Sequence, residues 1–245
     1  LMVFDFLCRH NKPELPFKTD IHCHIIPGVD DGSPDAETSA ALLTQMQELG
    51  FQRVFASPHV TQDTFENTPE TLAGPTEELR AEIQRQGLDI ELHRHAEYRL
   101  DDFFLRQLKA GNITPMPGEY LLVENSFSQE PYDMDTVIFD LKMEGFNPIL
   151  AHPERYIYYA KGNPQRYRDL HDSGLMFQIN LLSLAGRYGR TIRSVALELL
   201  ENGMVDFIGT DIHRESHVKL LQEYLQSRNF RHDLKLMTNL KNDEI

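Results

Sequence analysis

The sequence predicts an α/β fold built from parallel strands, and three observations carry that prediction. Seven apolar runs of strand length, at 17–23, 53–57, 90–97, 120–125, 147–151, 175–180 and 205–210, alternate with segments of helical periodicity. Strands joined by helices pair in parallel, because a parallel neighbour needs a long crossover. Some runs are apolar on consecutive residues, as at Leu121, Leu122 and Val123, the pattern of a strand covered on both faces. Each run also delivers a polar or ligand-type residue at its carboxyl end. An open doubly wound sheet accommodates the first two observations as well as a closed barrel does. The third favours the barrel, whose strand ends converge on one face where catalytic groups collect. The expected organisation is a leader at 1–16, one barrel domain at 17–228 and a tail at 229–245.

Taken in order, the leader is apolar but interrupted by Asp5, Arg9 and Lys12, and lacks the basic-then-apolar order of a signal peptide. It is expected to pack on the domain. After the first strand, Ser33 with Pro34 reads as an N-cap followed by proline at the first helical position. Leu42, Leu43, Met46 and Leu49 then recur at helical spacing up to Gly50. A second helix is expected at 68–86, closed by Gly87, and the segment 60–75 before and within it is the most loop-like insertion. Further helices are expected at 101–110, 132–144, 164–173, 190–202 and 214–227. From Asn229 onward the chain is polar with a few leucines and reads as a fraying helix or a partly ordered tail.

Composition bounds the function. The 245 residues are 40% hydrophobic and 25% charged, ordinary values for a globular protein of one large or two small domains. A net charge of −14 argues against a nucleic-acid binder and against docking on anionic lipid. Two cysteines, Cys8 and Cys23, exclude a disulfide framework and point to a reducing compartment. No apolar run approaches the length of a membrane span.

The strand ends carry the chemistry. Asp20, His22 and His24 alternate, which on a strand places them on one face with Ile21 and Cys23 on the other. The turn after them carries Asp30 and Asp31. His59 ends the second run, Glu97 the third, Glu124 the fourth, His152 the fifth with Arg155 just beyond, and Asn180 the sixth. Asp211 and His213 end the seventh and repeat the alternation of the first. Glu124 follows three apolar residues, so its charge needs a buried partner, and a cation is the simplest. His93 and His95 share the face of Glu97 and are read as filling. Tyr156, Tyr158 and Tyr159 suit either stacking on a substrate ring or packing a loop. Together the strand ends point to a metal centre of mixed imidazole and carboxylate ligands. A cysteine-dependent phosphatase needs arginine six positions after its cysteine. Glu14 and Val29 stand there instead, so that route is absent.

The stretches DIHCHIIPGVDDG, SPH, AEYRL, LLVEN, AHPERY and GTDIH span residues 20–213. In order and spacing they resemble the polymerase and histidinol phosphatase (PHP) superfamily. Within it they are similar to the bacterial protein-tyrosine phosphatases that act on tyrosine kinases controlling capsule and exopolysaccharide. The resemblance implies a distorted seven-stranded TIM-like barrel with three divalent metal ions. Manganese is implied first, and the ligand set also accepts iron, zinc, cobalt or magnesium. By motif position His22, His24, Glu97 and Asp211 would hold one ion, and Glu97, Glu124 and His152 a second. Asp31, His59 and His213 would hold the third. Arg155 would bind the substrate phosphate, and Asp211 or His213 would stand where a proton reaches the leaving group. Asp20 would orient an imidazole. Arg187 or Arg190 is a surface arginine first and a substrate candidate second, and where relatives place another arginine a few residues after the last motif either Arg214 stands in or the contact is missing. Three ions, four carboxylates and Arg155 sum to about +3, suited to a phosphomonoester dianion. The implied partner is a phosphotyrosine protein, a bacterial tyrosine kinase in the first instance. The implied place is the cytoplasm, with recruitment to the inner membrane face by that kinase. A small-molecule phosphatase of the histidinol phosphate type, a PHP phosphodiesterase and a non-catalytic kinase-binding scaffold are the alternatives.

Overall fold

The computed structural model describes residues 14–245. Most of the expected leader, Cys8 included, therefore lies outside the described residues, while Leu15 and Phe17 are buried in the core. Nine short strands are present: β1 (Thr19–Cys23), β2 (Arg53–Ala56), β3 (His59–Val60), β4 (Glu91–Arg94), β5 (Glu97–Arg99), β6 (Tyr120–Glu124), β7 (Asn147–Ala151), β8 (Met176–Asn180) and β9 (Phe207–Gly209). They form a three-stranded sheet, β1-β2-β4, and a six-stranded sheet, β3-β5-β6-β7-β8-β9, and every pairing between them is parallel.

Seven continuous strands were expected, and two of them are interrupted. The second breaks between β2 and β3 at Ser57 and Pro58, where proline offers no N–H to a ladder. The third breaks between β4 and β5 at His95 and Ala96. Backbone bonds still cross both gaps: Ser57 donates to the Cys23 carbonyl at 2.8 Å, His95 to Ala56 at 3.0 Å and Glu97 to Pro58 at 3.0 Å. Beyond β9, Cys23 and Ile212 form a parallel bridge. There Asp211 donates to the His22 carbonyl at 2.7 Å and His24 to Ile212 at 2.9 Å. The two sheets thus face a common apolar interior of Ile21, Phe55, Leu122, Ile149 and Phe207. A larger cluster, including Leu43, Leu79, Phe104, Ile138 and Leu199, packs the helices against the outer sheet faces.

The simple alternation expected in the first strand does not hold. The β1–β2 register shifts between Asp20 and Cys23. Ile21 consequently joins the inner cluster and Cys23 the outer one, as a bulge allows.

The helices are α1 (Ala36–Glu48), α2 (Pro69–Gln86), α3 (Asp102–Ala110), α4 (Met134–Met143), α5 (Ile157–Gly162), α6 (Gln165–Asp172), α7 (Leu181–Leu184), α8 (Arg190–Glu201), α9 (Glu215–Gln226) and α10 (Arg228–Asp233). The first starts later than expected. Asp35, not Ser33, is its N-cap and accepts from the Thr38 N–H at 2.7 Å. Ser33 is instead buried in the returning turn, where its hydroxyl accepts from Ser39. Helix α2 opens with reciprocal Thr68–Thr71 capping and ends at Gly87 in the left-handed region.

The segment expected to fray is anchored. After α10 a 3-10 turn (Asn242–Glu244) lies against the starts of β1 and β9. Buried Asn242 accepts from Ile208 N–H at 3.0 Å and donates to the Thr19 and Ile208 carbonyls. Asp243 accepts from the backbone N–H groups of Lys18 and Thr19. Polar composition here serves specific bonds rather than solvent.

Candidate metal centre

The carboxyl ends of the strands bring nine expected side chains into one place. His22 and His24 come from the end of β1, His59 opens β3, Glu97 opens β5 and Glu124 closes β6. His152 follows β7 with φ 36°, and Asp211 follows β9 with φ 54°. Residues other than glycine seldom occupy this left-handed region, and such outliers gather at functional sites. His213 stands two residues on, and Asp31 reaches in from the turn after β1. Glu97 is the hub. Its Oε2 lies 3.5 Å from both His22 Nε2 and His24 Nε2 and 2.9 Å from His59 Nδ1. Its Oε1 is 3.0 Å from His152 Nε2, which is also 3.6 Å from Glu124 Oε1. Asp31 Oδ1 lies 3.5 Å from His59 Nε2 and 3.4 Å from His213 Nε2. Four groups have donor atoms close enough to share an ion: His24, Asp31, His59 and His213; His22, Glu97 and His152; His22, His24 and Asp211; His59, Glu97 and Glu124.

The ring nitrogens of His22 and His24 that face away from this centre are engaged. His22 Nδ1 is 2.7 Å from Gln178 Oε1, and His24 Nδ1 is 2.8 Å from Asp30 Oδ2. A ring that donates from Nδ1 to such acceptors turns its Nε2 lone pair inward. The two Nε2 atoms stand only 3.2 Å apart and face carboxylate oxygens. Lone pairs opposed in this way repel unless something positive lies between them. Glu97 Oε2 is buried among them without an aligned hydrogen-bond partner. The donor set therefore fits divalent cations.

Electrostatics agree. Burial opposes a charged His22 ring, yet Glu97 overrides it and raises that imidazole to about 9. Glu97 likewise lifts His59 against its burial to about 10. Burial, then the neighbouring His213 and His59, pushes His24 down to about 4. Burial, then Glu97, pushes Glu124 up to about 7. Glu97 thus favours positive charge on His22 and His59, while burial keeps His24 neutral.

Asp211 divides its two oxygens. Oδ2 accepts from Asn180 at 2.7 Å, Arg155 at 3.1 Å and Tyr188 at 3.3 Å. Oδ1 faces His22, His24 and His213 at 3.4–3.7 Å. His22, His213 and Arg155 overcome the burial penalty and keep this carboxyl well below the usual range. Arg99 fixes Glu124 in a similar way, at 2.8 Å from Oε2.

A cavity of about 250 Å³ opens over the cluster, lined by Asp31, Glu124, His152, Arg155, Asp211 and His213 among others. Arg187 and Arg214, both exposed, also line it. Asp20 and His93 depart from expectation, His95 fills the core as expected, and the open reading of Tyr156 is decided. Asp20 touches no imidazole side chain: it accepts from Thr210 N and Oγ1 at 2.9 and 2.6 Å, and the bulge in β1 directs it there. Tyr156 is fully buried, bonded to Ala151 and Asn125, and cannot stack on a substrate. His93 pairs with Glu91 at 2.6 Å on the rim of β4, while His95 is buried against the Ile21 carbonyl at 3.0 Å. Sequence reading missed Gln178, Arg99, Phe127 and Tyr188 and gave Asp30 no role of its own. Asp30 had a signal in its adjacency to Asp31, and Gln178 in standing two residues before Asn180.

Fold and donor set define the class: a parallel α/β protein with a candidate metal centre at its strand ends. The chain belongs to the capsular polysaccharide synthesis family CpsB/CapC, whose model matches residues 18–229. Among its relatives, tyrosine-protein phosphatase YwqE of Bacillus subtilis is 29% identical over 199 residues, 79% of this chain and 76% of that protein. Tyrosine-protein phosphatase CpsB of Streptococcus pneumoniae is 29% identical over 202 residues, 79% of this chain and 82% of that protein. A chain from the crystal structures of YwqE and CpsB, described as metal-dependent tyrosine phosphatases, superposes with a TM-score of 0.76 at 24% identity. It covers 91% of this chain and 95% of that one. The phosphotriesterase homology protein of Escherichia coli shares the fold at a TM-score of 0.54 and 15% identity, over 93% of this chain and 94% of that one.

Proposed function

We propose that this chain is a metal-dependent phosphatase that hydrolyses phosphotyrosine in protein, with a bacterial tyrosine kinase of polysaccharide synthesis as its substrate. The observation that carries the reading is the convergence of nine ligand-type side chains in one cluster, beneath a cavity that six of them line together with Arg155. The names of the relatives supply the substrate class. We read β2 with β3, and β4 with β5, as single interrupted strands, which makes the fold a distorted seven-stranded barrel closed between β9 and β1.

His22, His24, Glu97 and Asp211 would hold one ion, and Glu97, Glu124 and His152 a second. Asp31, His59 and His213 would hold a third, with His24 close to that group as well. Manganese is our first choice. Bound there, divalent ions would supply Lewis acidity and an activated water. The chain does the rest. Arg155 presents its guanidinium to the phosphoryl oxygens, anchored by one N–H to Asp211. With three donors on Oδ2, Asp211 acts as an ionised anchor and not as the proton donor. The bond from phosphorus to the phenolic oxygen breaks and one to the water oxygen forms, releasing tyrosine and inorganic phosphate. A phenol pKa near 10 makes the leaving group easy to expel. Among the described residues no helix is long and apolar enough to cross a membrane. We place the protein in the cytoplasm, brought to the inner membrane face by its kinase.

The test compares a phosphotyrosine peptide with histidinol phosphate before and after chelation. The proposal expects metal-dependent turnover that favours the peptide. Preference for histidinol phosphate would assign a small-molecule phosphatase, and no turnover of either with metal loaded would assign a scaffold.

A further inference from the structure

One exposed aromatic ring sits where the metal centre opens to solvent. Phe127, three residues after Glu124 in a polar loop, is 43% exposed and lines the cavity. The Arg155 guanidinium lies 4.7 Å from its ring centroid, and the Tyr188 ring covers the same guanidinium at 4.3 Å. The His152 imidazole stacks on Phe127 at 5.6 Å with 16° between planes. The loop is held from beneath by buried tyrosines. Asn125 N–H donates to Tyr156 Oη at 2.9 Å, Asn125 Nδ2 to Tyr159 Oη at 3.0 Å, and Tyr158 Oη to the Ser126 carbonyl at 3.1 Å. Phe127 is thus presented by a tethered loop rather than left on a free one.

We propose that Phe127 is the residue that selects aryl over alkyl phosphomonoesters, by stacking on the ring of the leaving group. The proposal rests on the phosphatase reading above. A phosphate held by Arg155 lies beside a guanidinium already in contact with Phe127, so the ester substituent leaves the cavity along that ring. A phenyl group there reaches the offset or edge geometry that aromatic pairs prefer, at centroid separations of roughly 4.5–7 Å. The single methylene of a phosphoserine offers no face to stack. Tyr188, on the other side of Arg155, is tied to Asp211 by its hydroxyl, whereas Phe127, with Arg99 5.9 Å from its centroid as well as Arg155, keeps 43% of its surface exposed.

The experiment titrates metal-loaded protein with phenylphosphonate and methylphosphonate by calorimetry, for wild type, Phe127→Ala, Phe127→Leu and Phe127→Tyr. Wild type should bind the phenyl compound more tightly. Phe127→Ala should lose about tenfold in phenylphosphonate affinity, the worth of one aromatic pair, with the loss confined to that ligand. Phe127→Leu, which keeps bulk without a flat face, should resemble Phe127→Ala, and Phe127→Tyr should restore binding. In turnover the loss should appear in KM for a phosphotyrosine peptide. Equal weakening of both phosphonates would show that Phe127 only props Arg155 and His152, and would overturn the proposal, as would unchanged binding. Wild type that binds neither phosphonate and hydrolyses no phosphomonoester would overturn the phosphatase reading itself, before any Phe127 variant is compared.

Discussion

The strands carry a polar cluster at each end, and the two are built on opposite logic. At the amino ends, donors meet acceptors. Asp206 accepts from Phe177 N–H at 3.0 Å, Lys241 Nζ at 2.7 Å and His171 at 3.3 Å. Asn242 uses both ends of its amide on the backbones of β1 and β9. At the carboxyl ends, acceptor meets acceptor. Four carboxylates and five imidazoles converge, with two ring nitrogens 3.2 Å apart and a buried Glu97 oxygen lacking an aligned donor. The first cluster is complete as protein and closes the fold. The second is complete only with cations, which is why we read it as functional.

Four substitutions sharpen this contrast. Arg155→Ala touches the functional end without removing a ligand. It should keep metal and lose about 10²–10³ in kcat on p-nitrophenyl phosphate; undiminished turnover would remove Arg155 from the mechanism. Asp30→Asn weakens the acceptor behind His24 Nδ1. Metal affinity, measured by chelator competition, should fall about 10–100-fold. Asn242→Ala acts at the other end. It leaves Ile208 N–H and two carbonyls without their partner and should cost about 1–3 kcal/mol in urea unfolding, while turnover per folded molecule stays as in wild type.

The smallest effect concerns acid. Lys241, His171 and the Phe177 N–H hold the Asp206 carboxyl below its ordinary value against partial burial. A depressed carboxylate stabilises the fold above its unfolded pKa of roughly 4. That contribution is lost as pH falls from there through the folded value. Asp206→Asn should therefore flatten the stability curve below about pH 4 relative to wild type, read by thermal melts across pH. An unchanged acid limb would assign the slope to other groups.

The site was legible in the sequence to the extent that it is local. A ligand-type residue after an apolar run needs no tertiary information, so His59, Glu97, Glu124, His152 and Asp211 could be named from their runs alone. What orients them is not local. Gln178 reaches His22 across 156 positions of sequence, and Asn242 reaches Thr19 across 223. The alternation of Gln178 with Asn180 marks a shared face but not the partner, and nothing in the sequence around Asn242 marks its use. Asp20 misled because strict alternation ignores the bulge in β1. Tyr156 stayed open between stacking and packing because proximity to Arg155 in sequence says nothing of which way a side chain turns after the 3-10 turn Pro153–Arg155. Of the two strand breaks one had a visible local reason, since Pro58 cannot extend a ladder, and the other, at His95 and Ala96, had none.

The central claim is that the carboxyl-end cluster is a cation site and the amino-end cluster is not. Elemental analysis of purified protein beside its Glu97→Gln and Asp206→Asn variants tests it most directly. Removing the charge at the hub of the imidazoles should deplete bound metal, while removing an equal charge at Asp206 should leave it unchanged. The account predicts three divalent ions per wild-type chain, fewer in Glu97→Gln and three in Asp206→Asn. Wild-type protein without divalent metal after purification in its presence, or equal metal in all three proteins, would contradict it.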